Sequence, residues 1–89
     1  MIFSFSPEKN EYLKSTRDIS FEEIIESIES GGILARTLHE NTEKYPNQEI
    51  FYVKKGNYVY RVPFVEEDGK IFLKTAYASR VATKKFLSH

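Results

Sequence analysis

Three runs rich in β-branched and aromatic residues, EIFYVKK, NYVYRVPFV and KIFLKTAYA, follow one another between Glu49 and Ala78. Their separators, Gly56-Asn57 and Glu66-Glu67-Asp68-Gly69, are turn sequences that fold a strand back beside its predecessor. With Ile33 to His39 ahead of them, these runs predict four consecutive strands in an antiparallel sheet. The stretch Tyr58 to Val65 is too apolar for simple alternation, so this strand is expected to be covered on much of both faces. Two residues interrupt it. Pro63 has no amide hydrogen to give a ladder, which places it at an edge or a bulge. Arg61 either reaches a concave, functional face or guards an edge against stray strand pairing.

The N-terminal third follows helical rules instead. A short strand, IFSF, runs into Ser6-Pro7-Glu8, which supplies an N-cap, a proline at the first helical position and a first-turn acid; a helix over about Pro7 to Thr16 follows. Ser20-Phe21-Glu22-Glu23 is a capping box, with Ile19 and Ile24 placed as its hydrophobic staple. Phe21, Ile24, Ile25 and Ile28 then form one apolar face, and Gly31-Gly32 ends the helix. Its acids, Glu22, Glu23, Glu26 and Glu29, are accounted for as a solvated face favoured near a helix N-terminus. The polar loop ENTEKYPNQ separates the first strand of the sheet from the next, and Ser79 opens a last short helix. There Ala82 and Phe86 are spaced to dock on the sheet, with Arg80 and Lys84 on the opposite side. The expected fold is α+β over residues 1–89 as one domain: an N-terminal strand and two helices, a four-stranded antiparallel sheet and a short C-terminal helix.

Composition narrows the chemistry. At 89 residues with 40% hydrophobic content, one core burying roughly two-thirds of the unfolded surface is the expectation. With no cysteine, disulfides and thiolate metal sites are ruled out, and His39 and His89 alone make a histidine metal site unfavourable, so neither metal nor cofactor is expected. No apolar run approaches the roughly 18 residues of a membrane span. The opening MIFSFSPEKN lacks the pattern of a signal peptide, which points to a cytoplasmic protein.

A net charge of zero conceals an asymmetry. Residues 1–45 hold five Lys/Arg and nine Asp/Glu, and residues 46–89 hold eight and four. The last 21 residues carry five cations and no acid. Such an end suits either a solvated helix or an anionic ligand such as nucleic acid.

Within this end, Arg80 falls in the first turn of a helix, where the dipole disfavours a cation, and a phosphate held with Ser79 and the free amides would supply its partner. Lys74 and Tyr77 point to opposite faces of a regular strand and share a site only if the strand bulges near Ala76. His39 opens the polar loop as a candidate base or a loop brace, His89 is terminal and expected to fray, and Lys84 and Lys85 complement the helix C-terminus. Breaking RNA by attack of its own 2′-hydroxyl needs a proton acceptor, charge stabilisation on the phosphorane and a proton donor. Arg and Lys suit the second task, and Tyr, Lys or His the others.

The chain resembles BrnT-type toxins of the RelE/ParE-like superfamily of toxin-antitoxin systems. Phe5-Ser6-Pro7-Glu8-Lys9 followed by Ser20-Phe21-Glu22-Glu23 is similar to that family's opening, and Ser79-Arg80-Val81-Ala82-Thr83-Lys84-Lys85 to its tail. Leu13, Thr16, Arg17 and Asp18 stand where the family commonly has Asn and Lys-His-Gly, and Phe86 where it has Glu. The resemblance implies a RelE-like fold and an RNA-cleaving, growth-arresting toxin, neutralised by an antitoxin with a ribbon-helix-helix DNA-binding domain through which the pair represses its own promoter. It implicates Lys9, Ser79, Arg80, Thr83 and Lys84. The expected site thus comprises Arg80, Lys74, Tyr77 and His39 as catalytic candidates, with Lys9, Arg61, Ser79, Thr83, Lys84 and Lys85 binding RNA. A non-enzymatic toxin that binds a protein such as gyrase, and an inactive structural or regulatory member of such a complex, are the alternatives.

Overall fold

The structure, a computed structural model, describes residues 1–88; the expectation for His89 lies outside the described residues. The elements run β1 (Ile2–Phe5), α1 (Pro7–Arg17), α2 (Phe21–Glu29), β2 (Ile33–Leu38), β3 (Glu49–Lys55), β4 (Tyr58–Glu67), β5 (Lys70–Leu73), β6 (Tyr77–Ala78) and α3 (Arg80–Leu87). The α+β class is as expected. The sheet differs in two respects: it is mixed, because β1 pairs in parallel with β5, and the run KIFLKTAYA is two strands. Nothing in IFSF distinguishes an edge strand from a central one, so the parallel pairing was not readable locally. Strand order is β1-β5-β4-β3-β2, with β6 continuing along the same side of β4 as β5. Among the described residues no helix is long and apolar enough to cross a membrane.

Local signals set the helix ends. Ser6 accepts from the Lys9 amide, and Asp18 caps α1 in the left-handed region. The capping box of α2 is formed in both directions, with the Ser20 hydroxyl accepting from the Glu23 amide and the Glu23 carboxylate accepting from the Ser20 amide. Asn10, buried on α1, fastens the two helices: its Oδ1 accepts from the Phe21 amide at 2.7 Å and its Nδ2 donates to Glu22 at 2.7 Å. This last bond chiefly holds the Glu22 carboxyl below its usual pKa. At the return from β4 to β5 the turn is Asp68-Gly69 alone, both at positive φ, as a mirror-image hairpin turn requires.

Strand periodicity divides the sheet into two faces. Phe51, Val53, Val62 and Phe64 face α1 and α2 and pack with Leu13, Phe21, Ile24 and Ile28 into the main core. Tyr52, Arg61 and Tyr77 lie on the opposite face, where α3 docks. Beyond the helices on the core side, Arg36 spans Glu49 and Glu66 and lies over the stacked Phe51 and Phe64 rings.

Two tests follow from this packing. A Cβ at Gly32 would lie 2.7 Å from the Ser27 carbonyl oxygen and 2.9 Å from that of Lys54, both backbone, so Gly32→Ala is expected to lose about 1–3 kcal/mol in urea unfolding. The Arg36 hydrogen bond holds Glu49 below its usual pKa, so this stabilisation is complete above the ordinary carboxylate range and fades as pH falls through the depressed folded value. Glu49→Gln should therefore cost about 1 kcal/mol at neutral pH, and the gap from wild type should narrow as pH falls below the ordinary carboxylate range and close below the depressed folded value.

Candidate functional site

The face of the sheet turned away from α1 and α2 carries an open groove of about 680 Å³ beside α3. Tyr52 and Arg61 form its floor, Tyr77 and Ser79 one wall, and Arg80 and Lys85 its rim. None of its lining residues is acidic.

The groove owes its shape to Pro63. Leu73 pairs with Phe64, but Tyr77 pairs with Arg61, so one residue too many lies between them. This is a bulge over Lys74 to Ala76. In a strand, a residue's N–H and C=O point to the same neighbour. Pro63 accepts from the Lys74 amide at 2.8 Å, so its missing donor faces the place where the ladder breaks. Pro63 thus lies in a central strand, opposite a bulge. The bulge lets Lys74 and Tyr77 share a face, as the sequence required if both were to serve one site.

Arg61 occupies the concave face, the first of its two expected placements. Its guanidinium lies 5.8 Å from the Tyr52 ring centroid and 5.7 Å from that of Tyr77, and its side chain is 20% exposed. Its Nη2 donates to both oxygens of Glu40, at 2.9 and 2.8 Å. Burial opposes the charge, but the Glu40 hydrogen bonds outweigh it and the Arg61 pKa is raised, so it stays a cation. The Nε hydrogen is buried without an acceptor, and Nη1 has no hydrogen-bond partner among the described residues. Arg80, at the first position of α3, is exposed and meets no carboxylate among the described residues. The groove is therefore an electropositive, aromatic-walled cleft suited to a phosphodiester.

Other expected residues serve elsewhere. Lys74 shares the face but turns toward Phe72, its Nζ 5.4 Å from that ring. His39 stacks on Tyr45 at 4.4 Å, and its Nδ1 accepts from the Asn41 amide at 3.0 Å, so it braces the loop outside the groove lining. Ser79 caps α3 by accepting from the Ala82 amide. The Thr83 hydroxyl accepts from the Val59 amide at 2.9 Å and donates to the Ser79 carbonyl at 2.7 Å, completing the ladder where the chain leaves it for the helix. Arg80 and Lys84, expected on one side of the helix, line different depressions; Lys84 faces one with Lys54 and Asn57, and Lys85 shares the groove with Arg80. Lys9 lies on α1, over the Tyr12 ring. Two site residues escaped the sequence reading. Tyr52 was discoverable, because alternation in EIFYVKK opposes it to Phe51 and Val53. Glu40 was not, because an acid in a polar loop carries no local signal.

Comparison with protein-family models, with curated proteins and with solved structures gives no match.

The Thr83 geometry predicts a structural role. Thr83→Val leaves the buried Val59 amide without an acceptor and should cost about 2 kcal/mol in urea unfolding, whereas Thr83→Ser should stay close to wild type.

Proposed function

We propose that this chain is the toxin of a toxin-antitoxin pair, of the RelE/ParE-like, BrnT type, and that it arrests growth by cutting RNA in the groove beside α3. The observation that carries this reading is the groove's lining, in which Arg80 and Lys85 meet no carboxylate among the described residues and stand with the Glu40-paired Arg61 and two tyrosines. In an RNA strand laid there, the 2′-hydroxyl attacks the adjacent phosphorus, the bond to the 5′-oxygen breaks, and a 2′,3′-cyclic phosphate remains. Arg80 and the Nη1 edge of Arg61 offset the charge that grows on the phosphorane oxygens. Lys85 adds to the same field. The Tyr77 hydroxyl, beside Arg61, donates its proton to the leaving 5′-oxygen, and solvent water takes the proton of the attacking 2′-hydroxyl. DNA lacks the attacking hydroxyl.

A cognate antitoxin with a ribbon-helix-helix DNA-binding domain is the proposed partner. Covering the groove with a segment of opposite charge would block RNA and silence the toxin in the complex. A second reading keeps the fold and removes the chemistry, with the groove seating a protein target such as gyrase; the 80% exposed Val81 on the groove lining favours it.

Purified protein and Arg80→Ala, incubated with end-labelled messenger RNA alone and in a translating extract, decide between them. Fragments ending in a cyclic phosphate, reduced at least about 100-fold in rate by Arg80→Ala, are expected. Intact RNA under both conditions would overturn the ribonuclease reading. Tyr77→Phe keeps the ring beside Arg61 and removes only the hydroxyl, so a rate loss of about 100-fold or more with little change in RNA affinity is expected in the same assay.

A further inference from the structure

The groove does not end at Tyr77. At the bulge, β1 no longer flanks β5, and the sheet edge beside Thr75 and Ala76 is met instead by the C-terminal end of α1. Arg17 reaches round this edge. Its Nη1 donates to the Thr75 hydroxyl at 3.1 Å and to the Ala76 carbonyl at 3.0 Å, which holds the guanidinium 5.8 Å from the Tyr77 ring centroid on one side and 5.6 Å from that of Tyr12 on the other. Lys9, a turn earlier on α1, places its Nζ 4.6 Å from the Tyr12 ring. Cation and ring therefore alternate from Lys9 through Tyr12, Arg17 and Tyr77 to Arg61, at steps of 4.6 to 5.8 Å.

Two properties of this series point to a ligand. Among the described residues neither Lys9 nor Arg17 meets a carboxylate, although α1 itself carries Glu8 and Glu11. Tyr12 is 47% exposed, so an aromatic ring lies open on a helix whose exposed positions after Pro7 are otherwise polar. Internal cation–π contacts stabilise an exposed ring by only about 0.5–1 kcal/mol, too little to explain a row of them.

We infer that the row is the entry track for an unpaired RNA strand, which passes round the sheet edge at the bulge and delivers its scissile phosphate to the groove. This rests on the RNA reading of the groove and adds the form of RNA that it takes. An unpaired strand offers alternating phosphates and base faces, which match alternating cations and rings. In a duplex the base faces are stacked away and only the phosphates remain. Lys9 and Arg17 take phosphates, Tyr12 stacks one base, and the track with the groove holds on the order of four nucleotides, the low end for single-strand surfaces.

Binding is separated from cleavage by using a fluorescein-labelled 2′-O-methyl RNA, which has no attacking hydroxyl, and reading anisotropy against the single strand and its duplex. The expected results are a Tyr12→Ala affinity for the single strand weaker by about tenfold, a Tyr12→Phe affinity near wild type, and a duplex affinity that Tyr12→Ala leaves unchanged. Lys9→Gln, whose Nζ makes no hydrogen bond or ion pair among the described residues, should reduce the slope of log affinity against log salt by about 0.7. Tyr12→Ala binding the single strand as wild type does, or no binding by wild type, overturns the track. Cleavage of unmodified RNA in the first case leaves the ribonuclease reading standing. Track-dependent binding without any cleavage supports the track and removes the chemistry.

Discussion

The groove side of this sheet depends on an absent hydrogen. Pro63 lies in the central strand with its nitrogen directed at the neighbouring strand, and no donor there can hold a regular ladder. The chain opposite responds with one extra residue, which divides β5 from β6. That extra residue brings Tyr77 to the face of Arg61, opens the sheet edge that Arg17 reaches, and sets the point where α3 begins. A donor-bearing residue at Pro63 would permit an unbroken strand and turn Tyr77 to the core side.

Beyond the bulge, the backbone groups of Val59 and Ser79 are paired where the ladder ends. The Ser79 amide still donates to the Val59 carbonyl, while the Thr83 hydroxyl takes the Val59 amide and the Ser79 carbonyl. A side chain thereby stands in for backbone at the junction of strand and helix. This fixes α3 against the sheet and leaves Arg80 and Lys85 along the groove. Arg61 needs a different support. Between two rings and short of solvent, its charge is sustained by Glu40, which is not itself among the groove's lining residues.

The charge asymmetry between the two halves of the chain acquires a spatial meaning here. Glu22 and Glu23 stand at the start of α2 in the helical layer, whereas Arg61, Arg80 and Lys85 lie on the other side of the sheet. A chain of zero net charge thus gathers cations on one face without making the whole protein basic.

What the sequence determined by itself was local. Ser20 and Glu23 state the start of α2, Ile24 and Ile28 its buried side, the stretch Glu66-Glu67-Asp68-Gly69 a hairpin connection, and Ser79 the start of α3, because caps, periodicity and turns are settled within a few residues of one another. It also narrowed Pro63 to an edge or a bulge and tied Lys74 and Tyr77 to a bulge near Ala76. Tertiary structure decided the remainder. The parallel seating of β1, the pairing of Arg61 with Glu40, the diversion of His39 to Tyr45 and of Thr83 to Val59, and the reach of Arg17 to Ala76 each join residues distant in sequence or compete with another local use of the same side chain. A hydroxyl or a guanidinium satisfies many partners equally well, so its role is set only when packing decides which partner stands within about 3 Å.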